Sequence, residues 1–443
     1  MMGRQQCETV LEKALALSEA EQTDVYLQVG DHGLTRFAGN GVHQNVAHRD
    51  AQLHVRAVTG SRLGRATTND LSDRGIAKTV AQAHQNALLL PEDLGFHGLP
   101  QPSAPREINS YDQATAGCGP GDRAEVVGAV CRKARAQGLN ASGAYRTGAH
   151  ESAVMSTRGA RAYHAATSAG LIITVMTDTS SGWAKGGSWR VTDIDAESLG
   201  NEAVERALRG RDPRAVPPGR YAVVLDHYAV DDILGALSLY GMGAQAVQDG
   251  RSWMNGVMGQ PAMSSQVTIW DDGADPQGWP MPFDTEGVPR QRVEVVKEGV
   301  VGSPVHSSYT AGKEGRASTG HQANFTGGPL ATNLFLKEGG AKLEDMIAST
   351  QRGLYVTRFH YTRLVHSRGC MMTGMTRDGV FLVEDGRVTC PVKNLRFTQS
   401  YVEALAGVEA VGNRSRLVLN ETGFATKVPP LKLSSFNFTG NTV

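Results

Sequence analysis

The sequence predicts a mixed α+β protein whose first half alternates helices with strands and whose second half is mostly strand. Three observations lead there. Apolar residues keep helical spacing in several stretches and alternate at period two in others. In the second half, short strand-like runs are separated by Gly. Glycine is also abundant, 52 of 443 residues, which points to many tight strand connections and away from a helical bundle.

Taken in order, Val10, Leu11, Ala14 and Leu15 keep helical spacing ahead of a strand at residues 24–29, where Val25, Leu27 and Val29 alternate. Leu53, Val55 and Ala57 mark a second strand, and Thr59-Gly60-Ser61 reads as a hairpin turn. Asn69 or Asp70 is expected to cap a helix with the apolar face Ile76, Val80, Ala83 and Ala87. Residues 90–105 hold four prolines and read as a linker. A helix through Val126, Val127, Val130 and Ala134 follows, then strands including residues 171–176, then a helix at 195–208. Residues 212–219 form a second Pro/Gly linker. The expected division is therefore 1–104, 105–215 and 216–443, the last with helices near 229–240 and 342–350.

Bulk composition narrows the function. Lys+Arg 44 balances Asp+Glu 44, which argues against a nucleic-acid binder. No apolar run nears the roughly 20 residues of a membrane span, and no signal core opens the chain. The five cysteines are scattered and never form CxxC, so a disulfide framework is not expected and a reducing cytoplasm fits.

The constellations that carry chemistry are sparse. Thirteen histidines are available, yet no HExxH occurs. His360 and His366 share a strand parity but lie about 20 Å apart, too far to share a metal. GxSxG and Walker sequences are absent. Asp231-Asp232 on the helix and Asp271-Asp272 at a strand end read as solvated caps or turn residues. Two stretches stand out. Residues 318–324 (Ser318, Thr319, Gly320, His321, Gln322, Ala323, Asn324) are polar and Gly-flanked, the pattern of an exposed loop. Residues 353–360 alternate, placing Leu354, Val356, Arg358 and His360 on one strand face polar enough to line a cleft or to be solvated.

Several segments together resemble one family. Leu34-Thr35-Arg36-Phe37-Ala38, Asp271-Asp272-Gly273, Pro282-Phe283-Asp284-Thr285-Glu286-Gly287, Ser318-Thr319-Gly320-His321 with Asn333-Leu334, Gly353-Leu354-Tyr355-Val356-Thr357 and the residues 373–386 ahead of Cys390-Pro391-Val392 are similar, in one order, to signatures of the TldD/PmbA peptidase family. The resemblance implies a mostly antiparallel, barrel-like C-terminal domain (a degenerate peptidase domain). It also implies that the zinc-bearing TldD type carries H-E-x-x-x-H on a helix plus a later Cys. Histidines five apart fall about 140° apart on a regular helix, so such a motif needs a kink or a helix end. Aligned by its flanks, that helix is residues 230–241 here, and the ligand positions hold Gly235, Ala236 and Tyr240; residues 411–433 contain no Cys. No catalytic residue and no metal ligand is therefore expected in this chain.

By this resemblance the chain is similar to the zinc-free PmbA/TldE type of subunit. Such a subunit pairs with a TldD-type metallopeptidase chain that holds the zinc. It closes a chamber and helps hold unfolded peptide or a peptide-derived precursor, with Ser318, Thr319, Gly320, His321, Asn324, Arg358 and His360 as the substrate-binding expectation. A homodimer of the isolated chain is left open. Two other readings stand beside it: a self-sufficient enzyme using Tyr240, His321 and Asp232 in acid–base work, and a scaffold that never touches peptide.

Overall fold

One six-stranded sheet carries the first half of the chain. In the computed structural model, which describes residues 1–323, 327–420 and 423–441, α1 (Arg4–Ala16) precedes β1 (Gln22–Ala38), β2 (Gly41–Thr59), β3 (Arg62–Thr68) and α2 (Asp73–Leu89). Next come α3 (Gln113–Gly117), α4 (Pro120–Ala136), β4 (Asn140–Ser156), β5 (Arg161–Met176), β6 (Ser181–Ser188) and α5 (Ala196–Arg209). The strand order is β3-β2-β1-β4-β5-β6, antiparallel throughout, so the Pro-rich stretch after α2 connects two parts of one sheet. The α2 face Ile76, Val80, Ala83 and Ala87 is buried. Its cap is Ser72, however, whose Oγ accepts from the Gly75 N–H, while the expected cap Asp70 accepts from the Ser72 N–H one step earlier. Both are good capping residues, and sequence alone does not separate positions two apart.

The second half starts with β7 (Gly219–Leu225), α6 (His227–Leu237), one π turn (Ser238–Met242) and α7 (Ala244–Gln248). It continues with β8 (Ile269–Asp271), β9 (Val293–Lys297), β10 (Val300–Val301), α8 (Ser308–Gly312), β11 (Asn333–Leu336) and α9 (Leu343–Ala348). Last come β12 (Arg352–His366), β13 (Met371–Glu384), β14 (Arg387–Pro391), β15 (Leu395–Ser400), α10 (Tyr401–Ala406), β16 (Val408–Val411), β17 (Arg416–Leu419), β18 (Ala425–Val428) and β19 (Leu431–Asn441). Strands β12-β7-β19-β15-β13 pair in that order, and β12 pairs back with β13, closing a five-stranded barrel. A second sheet runs β10-β9-β8-β11-β18-β17; only β7/β12 and β11/β18 are parallel among the described strands of this half. The barrel-like, mainly antiparallel expectation holds.

The largest apolar cluster joins Ile233, Leu234 and Leu237 of α6 to Phe397 and Phe436 of the barrel and to Ile269 and Leu334 of the second sheet. The α6 N-cap, Asp226, ties this core to α5: it accepts from Arg206, from the Tyr355 hydroxyl (2.8 Å) and from His227 Nδ1 (2.6 Å). Burial alone would raise this carboxyl, but Arg206 and then His227 hold it well below the usual range. No described helix is long and apolar enough to cross a membrane.

Candidate functional site

The helix expected to carry the ligand positions is α6 with its π turn. A π turn is wound i→i+5, so it brings residues five apart toward one side of the helix. Gly235 and Tyr240 are five apart and bracket the start of this turn. Two carbonyls around the turn are claimed by side chains, Gly241 by Ser252 Oγ (2.6 Å) and Leu237 by Trp253 Nε1 (2.9 Å), and the turn's own Ser238 Oγ donates to the Ala331 carbonyl (2.6 Å). A Cβ on Gly241 would lie 2.0 Å from the Trp253 ring, so this position requires Gly. A Cβ on Gly235 would meet nothing within 4 Å. The kink that an H-E-x-x-x-H helix demands is thus present, and space is open at its first position. Gly235 and Ala236 offer no donor atom, and Tyr240 offers one phenol; among the described residues no three His, Cys, Asp or Glu side chains gather as a ligand group. These positions do not fit zinc.

One turn before Gly235, Asp231 and Asp232 are not the solvated pair expected. Asp231 accepts from Thr426 Oγ1 (2.6 Å), and Asp232 accepts from the Tyr401 hydroxyl (2.6 Å) and Thr362 Oγ1 (2.8 Å). Burial pushes the Asp232 carboxyl up to about 6 and raises Asp231 as well. The elements that supply these hydroxyls, β12, α10 and β18, are more than a hundred residues away in sequence, so the helix pattern gave no sign of them.

The strand face expected at residues 353–360 is corrected by a bulge. The β12–β13 register shifts between Val356 and Arg358. Leu354, Val356 and Phe359 enter the core, and Arg358 and His360 therefore leave on the other face. Arg358 stands 2.7 Å from Asp378 Oδ2 with its guanidinium 4.3 Å above the Trp183 ring, which ties the barrel to β6. Burial and then the Arg358 charge lower the pKa of the half-buried His360.

The 318–324 stretch is not an exposed loop. Ser318 and Thr319 are half-buried, and Gly320, His321, Gln322 and Ala323 are buried; Asn324 lies outside the described residues. Ser318 Oγ and Thr319 Oγ1 both donate to the His306 carbonyl (3.2 and 3.1 Å). Gly320 has φ +72° and passes so close to Pro289 that a Cβ would sit 2.3 Å from its carbonyl oxygen. His321, fully buried, hydrogen-bonds Asp271 through Nε2 (2.8 Å) and Thr319 through Nδ1 (2.9 Å), and Asp271 also accepts from the Asn333 N–H (2.7 Å). Asp271 is thus a buried acceptor and not a turn residue.

The segment 282–287 completes this framework. Asp284 accepts from the backbone N–H groups of Gln322, Glu286 and Val288 (2.9, 2.9 and 3.0 Å). Burial, then the neighbouring Glu286 charge, raises its pKa. Glu286 accepts from the Ser308 N–H (2.9 Å) and from Arg56 (2.8 Å), and Arg56 also pairs with Asp24. Above this framework lies a cleft of about 720 Å³ between β3 and α2 with its following linker on one side and α7, α8 and the segment after α8 on the other. Leu63, Leu90 and Phe96 supply its apolar wall; Arg65, Tyr309 and Gln322 supply polar groups. Of the singled-out stretch, Gln322 reaches this cleft, and Ala323 joins it in lining an adjoining recess beside Arg56. Gln322 lies in the stretch singled out from the sequence, whereas sequence reasoning missed Arg65 and Arg56; contacts such as that of Arg56 with Glu286, 230 positions away, place them there.

Tyr240, His321 and Asp232, grouped above as an acid–base set, do not converge through their bonds. His321 is committed to Asp271 and Thr319, and Asp232 to Tyr401 and Thr362.

Three comparisons bear on identity. Family models match residues 23–87 (PmbA/TldA metallopeptidase domain 1), 119–211 (central domain) and 218–440 (C-terminal domain). The metalloprotease TldD homolog of Haemophilus influenzae is 24% identical over 426 residues, covering 90% of this chain and 87% of that protein. Metalloprotease PmbA of Escherichia coli O157:H7 is 23% identical over 449 residues, covering 96% and 94%. The crystal structure of TldE from Thermococcus kodakarensis superposes with TM-score 0.88 at 17% identity, covering 98% of this chain and all of that one.

Proposed function

This chain belongs to the PmbA/TldD metallopeptidase family, and from that premise we propose that it is the zinc-free subunit of a two-chain peptidase, pairing in the cytoplasm with a TldD-type chain that bears the metal. The observation that carries the reading is the α6 helix. Its π turn is present, with the Leu237 and Gly241 carbonyls bonded by Trp253 and Ser252, yet Gly235, Ala236 and Tyr240 hold the ligand positions. A helix kinked for ligands that are not there fits a chain descended from a metal-binding fold and retained for another task. The name TldE, borne by a solved structure of the same fold, agrees with that assignment.

In the partner, zinc would polarise the scissile carbonyl and lower the pKa of its bound water. This chain would close the chamber and hold an extended peptide or a peptide-derived precursor. His360, half-buried on β12, is the side chain assigned to contact it in this reading. Arg358, already engaged by Asp378 and Trp183, orients that face. Ser318, Thr319, Gly320 and His321 act indirectly, by fixing Gln322 at the cleft. The test is reconstitution with an unfolded peptide. The isolated chain should not cleave it, and the mixture with a TldD-type chain should cleave it and stop on chelation. Chelator-resistant cleavage by the isolated chain would overturn the proposal and favour the self-sufficient enzyme.

A further inference from the structure

Hydrogen-bond donors without acceptors line the recess of about 200 Å³ that adjoins the cleft. Part of its wall is one face of β2 and β3, where Arg56 stands opposite Arg65 and His54 opposite Thr67. Like charges directly opposite across two strands repel. Arg56 is compensated by Asp24 and Glu286. The exposed Arg65 side chain makes no hydrogen bond or ion pair with a described residue, yet it lines both the recess and the cleft. His54 Nδ1 shares a hydrogen bond with Thr67 Oγ1 (3.1 Å), and His54 Nε2 is buried with no partner among the described residues. With the threonine hydroxyl donating to Nδ1, Nε2 carries the proton and is a second free donor.

The acceptors beside these donors are committed. Both Asp24 oxygens and one Glu286 oxygen accept from Arg56, and the other Glu286 oxygen accepts from the Ser308 N–H. Asp24, Glu286, Arg56 and Arg65 sum to zero charge, so the recess selects by directed donors and not by a broad positive field. Free donors among committed acceptors suit a group that only accepts, and an ionised carboxylate is one. A guanidinium can hold it through two parallel bonds.

The neighbouring cleft is apolar on one side. Leu63 and Tyr309 pack on the small cluster of Val58, Phe96 and Leu99. Leu88, Leu89, Leu90 and Leu94 are all exposed, Leu89 and Leu94 at 82% and 85%, and Leu89 and Leu90 line the cleft. Four bare leucines within seven residues at the rim of a cavity mark a binding surface. The cleft volume of about 720 Å³ falls in the range of ligand sites, about 300–1,000 Å³.

We propose that cleft and recess together receive the C-terminal end of a peptide whose last residues are large and apolar, with the terminal carboxylate on Arg65 and His54 and the side chains against the leucine rim. The proposal rests on the reading that this chain holds peptide, and assigns which end of the peptide it holds.

The test is fluorescence anisotropy of a labelled peptide ending in two leucines, titrated with the full chain alone. The free acid should bind saturably. Its C-terminal amide, and a free acid ending in two serines, should each bind at least about tenfold more weakly. Arg65→Gln should weaken the free acid to the level of the amide and leave the amide unchanged, while Arg65→Lys keeps part of the difference. Arg65 is exposed, so circular dichroism and thermal midpoint should match the wild type in both variants. Equal affinity for acid and amide, an Arg65→Gln protein that still distinguishes them, or a free acid that does not bind overturns the proposal. Dodecanoate tests a carboxylate from another source. If it displaces the label at lower concentration than the unlabelled free acid does, an alkyl carboxylate is the occupant and the peptide assignment is overturned. Neither a TldD-type chain nor cleavage enters the titration. Loss of the acid–amide difference therefore leaves the zinc-free assignment intact, and cleavage by the isolated chain would sink that assignment while the difference stands.

Discussion

Two glycine-to-alanine substitutions six residues apart on one helix should move stability in opposite directions. In Gly241→Ala the new methyl would lie 2.0 Å from Trp253 Cδ1 and 2.3 Å from Nε1. The indole is 2% exposed, packed in the largest core cluster and held by its bond to the Leu237 carbonyl, so it cannot swing aside. Overpacking costs about 1–3 kcal/mol, and losing the indole hydrogen bond to a buried carbonyl adds about 1 kcal/mol or more. Together these lower the stability of the C-terminal unit by about 2–4 kcal/mol, or roughly 10 °C in midpoint for a domain of this size. In Gly235→Ala nothing lies within 4 Å of the methyl and the helix gains its best former. A gain of about 0.5–1 kcal/mol follows. Calorimetry on the full chain, following the transition of the C-terminal half, reads both. If Gly241→Ala is neutral, or if the two shifts share a sign, the π turn is not held as described and the shared side for positions 235 and 240 goes with it.

Further outcomes follow from the buried polar groups. His321→Ala leaves the Asp271 carboxylate buried with the Asn333 N–H as its remaining bond, and should cost about 3–5 kcal/mol; His360→Ala, half-buried, should stay within about 0.5 kcal/mol, so equal costs would refute the division between framework and surface. The Asp232 carboxyl, raised from 3.8 to about 6, binds its proton more tightly folded than unfolded. The wild type should therefore lose stability as pH rises from about 4 to about 6, and Asp232→Asn should flatten that window in a series of denaturation midpoints. In the reconstituted pair, His360→Ala and Gln322→Ala should slow peptide cleavage while co-purification of the two chains is unchanged; unaltered rates would remove both from the substrate path.

What sequence conveys here follows the range of the interaction. The buried face of α2 and the span of α6 are legible because a helix repeats its pattern within a few residues. The barrel was reached through family resemblance, since β7 pairs with β12 across a long intervening chain and no local signal announces it. Period-two reasoning failed at β12 because the bulge after Val356 inverts the side chains that follow it up to His360, and two further register shifts break the pattern beyond. The stretch 318–323 misled for another reason. Polar, Gly-rich composition describes a loop that carries its own hydrogen-bond partners inward as well as one that faces water. His306, Asp271 and Asp284 supply those partners from distant positions. The segments that carry the resemblance at 271, 284–286, 319–321 and 333 turn out to be one bonded framework under the cleft. Their chemistry is that of buried carboxylates meeting backbone amides.

The most direct test of the zinc-free assignment is elemental analysis of the purified chain, alone and after co-purification with a TldD-type chain from the same source. The account predicts no zinc in the isolated chain and stoichiometric zinc in the pair. Stoichiometric zinc in the isolated chain would contradict it, and would mean that ligands other than residues 235, 236 and 240 make this chain a metallopeptidase in its own right.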